Sequence, residues 1–191
     1  MTHYLHRAFA ADPDVQVLID LRLVEPAQPE HDGTPGVCQI DHLLIHRWGA
    51  FIIESKSVST EVSVRSDGSG GDEWIRTYNG SHGMPSPIQQ ANRQAQFLRT
   101  YLQNHREQLL GKLTGGSRLL AKMLVGTDQR GFTQMPMQII VAISDTGRIT
   151  RLNNWREPEK PFRTFVAKAD LVPDKVRGEI EAHRSQGNSL K

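Results

Sequence analysis

The chain has a single cysteine, Cys38, in 191 residues. One thiol excludes an internal disulfide framework and a zinc site made of several cysteines. There is no run of about 18 apolar residues, so no transmembrane helix is expected. The N-terminal stretch MTHYLHRAF lacks the apolar core of a secretory signal. Together these absences point to the cytoplasm. No internal repeat or low-complexity tract is present. Charge of one sign is also lacking: 23 Lys and Arg face 21 Asp and Glu, a net charge of +2, with eight histidines besides. That balance permits a polyanionic partner without demanding one. The length and an apolar content of 37% fit one domain over residues 1–191, with a core of its own.

Residues 3–10 suit a short helix. VQVLIDLRLV (15–24) alternates and is rich in β-formers, which predicts a strand. Residues 25–36 collect Pro, Gly and Asp and read as a loop. VCQIDHLLIH (37–46) and AFIIESKS (50–57) read as two strands joined by RWG, where Gly49 can supply a positive φ. EVSVRS and EWIRTYN flank DGSGGD and predict a second hairpin. At Ser86 the period becomes helical. Ile88, Ala91, Ala95, Leu98 and Leu102 share one face of a helix expected to reach about Leu110. Ser86 is its N-cap, Pro87 its first helical residue and Gln89 the partner in a capping box. SRLLAKMLV (117–125) predicts a shorter helix and MQIIVAIS (137–144) a strand buried on both faces. FRTFV (162–166) predicts a strand and PDKVRGEIEAHRS (173–185) a closing helix. The order gives the α/β class, a mixed sheet flanked by helices rather than regular βαβ alternation.

The anomaly is FIIESKS (51–57), an apolar strand that ends in charge. Strand alternation points Glu54 and Lys56 to one face, with Ile53 and Ser55 on the other. The neighbouring strand carries Asp41 inside QIDHLLI. If the two strands pair, both carboxylates converge at one end of the sheet. Close carboxylates repel unless one is protonated or a cation lies between them. A hard divalent ion such as Mg²⁺ suits oxygen ligands and keeps positions for water and phosphate. Lys56 beside it can hold a phosphate oxygen or help deprotonate a water. The ordinary alternative for E-x-K is a solvated ion pair worth ~0–1 kcal/mol. Gln90 lies in the first turn of the long helix, and Gln90, Arg93, Gln94 and Phe97 form a stripe beside its apolar face. A glutamine there can orient water or phosphate, and a helix N-terminus favours anions.

QIDHLLIHRWGAFIIESKS, the tryptophan of DEWIRTYNG and then SPIQQ resemble the nuclease-related domain, NERD, of the PD-(D/E)XK nuclease superfamily. The resemblance covers roughly residues 15–145. It rests on I-D-H-x-x-I, I-E-x-K and P-x-x-Q in that order. It implies a restriction-endonuclease-like core and a Mg²⁺- or Mn²⁺-dependent nuclease acting on DNA. It places the metal-binding acids on Asp41 and Glu54, a further ligand on the Ser55 backbone carbonyl, the catalytic lysine on Lys56 and the helix glutamine on Gln90. The sequence departs from the family in two ways. Relatives begin with a helix bearing a Gly-Glu pair, and nothing before Asp12 is acidic here. Some relatives carry a four-cysteine zinc ribbon, which one cysteine cannot supply. Both departures are consistent with a fragment of a longer chain with further domains.

His42 and His46 share the strand face opposite Asp41 and would suit zinc only with a third ligand. Trp74 reads as a core aromatic over the sheet end rather than a platform for bases. Arg65, Arg76, Arg93 and Arg99 are candidate phosphate contacts. No recognition helix stands out, so nucleic-acid binding is expected to be backbone-directed. Cys38 reads as a small apolar core residue. The alternative to a nuclease is a catalytically inactive nucleic-acid-binding or interaction module with the same fold.

Overall fold

The run that ends in Glu54 is the central strand of a five-stranded sheet. The computed structural model describes residues 1–28, 36–110 and 131–185. The helix expected over 117–125 lies outside them. The elements are α1 (Thr2–Phe9), β1 (Val15–Val24), β2 (Val37–His46), β3 (Gly49–Lys56), β4 (Glu61–Ser66), β5 (Asp72–Thr77) and β6 (Ser81–Met84), then α2 (Pro87–Asn104), α3 (Arg106–Leu109), β7 (Met137–Ile143), β8 (Arg148–Arg151), β9 (Arg163–Lys168) and α4 (Val172–Ser185). The main sheet runs β1-β2-β3-β7-β9, and a second sheet runs β6-β5-β4-β8. In the main sheet β1, β2 and β3 are antiparallel, while β3, β7 and β9 are parallel. Both sheets are mixed, because β4 pairs β8 in parallel and β5 antiparallel. The expected α/β class is the observed one, consistent with a restriction-endonuclease-like fold.

β7 is buried at all of its positions, as a parallel strand covered on both faces must be. One face carries a core of Ile52, Ile139, Val141, Ile88, Ala91, Ala95 and the inward residues of the second sheet. The other carries Leu44, Phe51, Ile53 and Ile140 against Leu5, Phe9, Val172 and Val176 of α1 and α4. The site residues Glu54 and Lys56 lie on the α2 side, two and four positions beyond Ile52.

Gly49 opens β3 for a steric reason. Its φ is +157°, and a Cβ there would stand 2.5 Å from the Pro136 carbonyl oxygen. That carbonyl accepts a hydrogen bond from Ala50 N–H at 3.0 Å, which ties the strand start to the segment leading into β7.

The start of α2 is anchored to the second sheet through one carboxylate. The Ser86 hydroxyl accepts from Gln89 N–H at 3.0 Å and donates to Asp72 Oδ2 at 2.6 Å. Trp74 Nε1–H donates to the same Asp72 oxygen. Trp74 is buried and meets Trp155 edge-on, so its core role is the observed one. Ser86→Ala removes both the cap and the link to Asp72. A cost of about 1 kcal/mol, at the middle of the range for lost caps, should appear as a lower urea midpoint with an unchanged slope.

Candidate active site

β2 and β3 stay paired only as far as His42↔Ile53. Beyond that point β2 continues along β1 to Val37↔Val24, and β3 continues along β7 to Lys56↔Ile143. The two strands diverge, and the fork opens between Asp41 and Ser55. Asp41 Oδ2 accepts the Ser55 backbone N–H at 3.0 Å, replacing the ladder partner that the divergence removes. In an antiparallel ladder a residue's N–H and C=O serve the same neighbour, so the Ser55 carbonyl also faces the fork.

A local break in β2 helps to set this up. Cys38, Ile40 and Leu43 all pack into the α2-side core, which strict alternation would forbid. The inward parity therefore switches at Asp41–His42. Opposite this point Asp20 has φ +54°, a conformation that Asp tolerates better than most residues, and it accepts a hydrogen bond from Gln39 Nε2.

Glu54 is 1% exposed, on the last part of a strand whose earlier residues are all buried. Both of its oxygens are held. Lys56 Nζ lies 2.6 Å from Oε1, and Gln94 Nε2 donates to Oε2 at 2.9 Å. Lys56 also donates to Gln90 Oε1 at 2.8 Å. Burial pushes the Glu54 carboxyl above its usual range, and the nearby Asp41 charge adds to the push. The hydrogen bonds from Lys56 and Gln94 and the Lys56 charge pull the other way. The structure thus brings Asp41, Glu54, Ser55, Lys56 and Gln90 together.

Gln94, which the sequence places in the stripe beside Gln90 without assigning it a role, joins the site. It is 1% exposed, one turn beyond Gln90, and its Oε1 is buried with no hydrogen-bond partner among the described residues. The signal was a polar residue flanked by Ala91, Ala95 and Leu98 on the buried stripe of α2.

The donor set suits a hard divalent cation. Two carboxylates, one held above its usual pKa by burial and by its acidic neighbour, gain from a positive charge between them. A carbonyl facing the fork adds a third oxygen, and Mg²⁺ fills its remaining positions with water and phosphate. Among the described residues no group of three His, Cys, Asp or Glu side chains could share a metal. α1 contributes no carboxylate. Its Thr2 hydroxyl instead meets His42 Nε2 at 2.9 Å.

His42 and His46, which would suit zinc only with a third ligand, are engaged in other contacts. His42 Nδ1 lies 3.3 Å from the Ser55 hydroxyl. His46 accepts from Trp48 N–H at 3.3 Å and stacks on Phe51 and on His183 of α4. Burial first, and then the His183 charge, hold the His46 imidazole down at about 4. A histidine whose folded pKa is depressed contributes stability in full above its unfolded value, about 6.5. That contribution is lost as pH falls toward the folded value. Thermal stability should therefore fall between those limits, and less steeply in His46→Asn, which keeps an acceptor for Trp48. Parallel melting curves of the two proteins across that range measure the difference.

The four arginines separate. Arg93 is exposed on α2. Arg65 is paired with Glu73 at 2.7 Å, and Arg76 lies over Tyr78. Arg99 turns inward, donating to the Met135 carbonyl at 3.1 Å with its guanidinium 4.6 Å from the Phe162 ring centroid. Burial lowers its pKa. Cys38 is fully buried in the core, as expected.

The family model for the nuclease-related domain, NERD, matches residues 3–123, well over half of the chain. The chain belongs to the NERD family. The match spans every residue of the fork and the helix that faces it, and PD-(D/E)XK nucleases are this family's general context. Comparison with curated proteins and with solved structures finds no match for this NERD chain. Among the described residues, no helix is long and apolar enough to cross a membrane.

Proposed function

We propose that this NERD protein is a Mg²⁺- or Mn²⁺-dependent nuclease that hydrolyses phosphodiester bonds in DNA. The observation that carries this reading is the fork. Asp41 and a buried Glu54 lie where β2 and β3 part, with Lys56 Nζ between the Glu54 carboxylate and Gln90. Asp41, Glu54 and the Ser55 carbonyl would hold the ion. A bound divalent ion lowers the pKa of a water and offsets charge developing on the phosphate. Lys56 supplies a donor at the attacked phosphate or takes part in moving the proton from the water. Gln90 fixes the Lys56 ammonium and can turn toward a water or a phosphate oxygen. Gln94 holds the rotamer of Glu54.

The rival reading, an inactive nucleic-acid-binding module, draws on the fact that Lys56 and Gln94 already occupy both Glu54 oxygens. Incubation with supercoiled plasmid, linear duplex, single-stranded DNA and RNA separates the two. With Mg²⁺ or Mn²⁺ the nuclease reading predicts cleavage that EDTA stops. Binding without cleavage of any of these substrates would leave the rival standing.

A further inference from the structure

The β5–β6 hairpin leads directly into α2, and the proposed chemistry leaves its outer end unused. Trp74 pairs with Met84, and Arg76 with His82. Trp74 is buried and Met84 packs against the same core. Farther out on that face, Arg76 and Tyr78 leave the body of the protein. Tyr78 is 56% exposed, the highest value for a large hydrophobic side chain among the described residues. The Arg76 guanidinium carbon lies 5.8 Å from the Tyr78 ring centroid. Arg76, Tyr78, Asn79, His82, Gly83 and Met84 line one shallow hollow that includes no carboxylate. The tip is a fixed turn. Tyr78 N–H donates to the Gly80 carbonyl at 2.9 Å, with Asn79 at φ +48° and Gly80 at φ +121°. At its base the hairpin is tied to the α2 N-terminus through Asp72 and Ser86, and the first turn of that helix carries Gln90.

We propose that this face binds an unpaired stretch of nucleic acid, with a base stacked on Tyr78 and a flanking phosphate on Arg76 beside His82. For its purpose, feeding a single strand toward the fork, the inference rests on the nuclease reading. For binding it stands alone. Every base offers a π-face to an exposed ring, and arginine adds both a phosphate contact and a cation–π contribution. Bases stacked inside a duplex present no free face, so an aromatic on a projecting turn selects unpaired strands.

Fluorescence anisotropy of the full chain in EDTA tests this, with labelled oligothymidylate, oligouridylate and a DNA duplex of equal length. Single strands should bind more tightly than the duplex. Tyr78→Ala should weaken single-strand affinity about tenfold, the scale of one lost base stack, while Tyr78→Phe stays within about twofold of wild type. Arg76→Ala should weaken binding and reduce the salt dependence by about one phosphate contact. Tyr78-dependent binding of either strand supports the inference and shows which of the two strands is preferred. Unchanged single-strand affinity in Tyr78→Ala, or a wild type that binds the duplex as well as the strand, overturns it. Tyr78 is exposed, so the substitution leaves the core intact. No metal is present, so failure here and failure to cleave DNA are separate results.

Discussion

Lys56→Met should lower metal-dependent cleavage by about 10²–10⁴-fold, the range for loss of a positioned proton-transfer group, while the protein stays folded. Lys56 sits at the end of β3, a quarter exposed, and its ammonium bridges Glu54 Oε1 and Gln90 Oε1. Methionine keeps the stem that packs along the strand and removes the donor. Glu54 would then keep Gln94 as a hydrogen-bond donor but lose its cation, and Asp41 would push its carboxyl up further. The pH profile of any residual cleavage should therefore move to higher pH. Lys56→Arg restores charge, but a planar fork cannot reproduce a compact ammonium held between two oxygens, so it should recover only part of the rate. Quantified nicking of supercoiled plasmid in Mg²⁺ measures all three proteins. Wild-type rates in Lys56→Met would remove the lysine from the mechanism.

Glu54→Gln should abolish cleavage and, at neutral pH, make the protein more stable. Both effects follow from burying a carboxylate beside another one. A carboxyl whose folded-state pKa is raised favours folding when protonated. That contribution is present below the unfolded pKa, about 4.3, and is lost as pH rises through the folded value. Burial is the main cause of the rise, with Asp41 contributing. A glutamine carries no charge at any of these pH values. Its amide oxygen can still accept from Lys56, and its NH₂ can meet Gln94 Oε1, buried without a partner among the described residues, once the Gln94 amide turns over. The variant should melt above wild type at pH 7–8, with the difference closing toward pH 4. A less stable variant at pH 8 would mean that the Lys56–Glu54 ion pair outweighs the burial cost. In that case the carboxylate belongs to the structure more than to the chemistry.

Much of this arrangement could be read from the sequence wherever burial is periodic. β1, β2, β3, β7 and α2 announce themselves by apolar alternation, by an unbroken apolar run or by a helical stripe with an N-cap. Asp41 and Glu54 stood out because each interrupts such a pattern. β6 and β8 could not be seen in this way. SHGM and RITR present mostly exposed side chains and pair through backbone at the edges of the second sheet, so no hydrophobic period marks them. The role of Gln94 is hidden for the opposite reason. Its neighbours gave the buried stripe correctly, but a glutamine on that stripe looks like a surface residue until its partner, 40 positions away, is brought beside it. The fork itself is a tertiary feature. Past His42↔Ile53 β2 keeps only its pairing with β1 and β3 only its pairing with β7, and neither is written in the local pattern. The inward turn of Arg99 depends in the same way on Met135 and Phe162, distant in sequence.

The most direct test of the account is Mn²⁺ binding, followed by electron paramagnetic resonance or calorimetry, in wild type and in Asp41→Asn. Asp41 and Glu54 sharing one ion predicts a single site per chain that weakens at least about tenfold when Asp41 loses its charge. Equal Mn²⁺ affinity in the two proteins, or no Mn²⁺ bound by wild type, would contradict it.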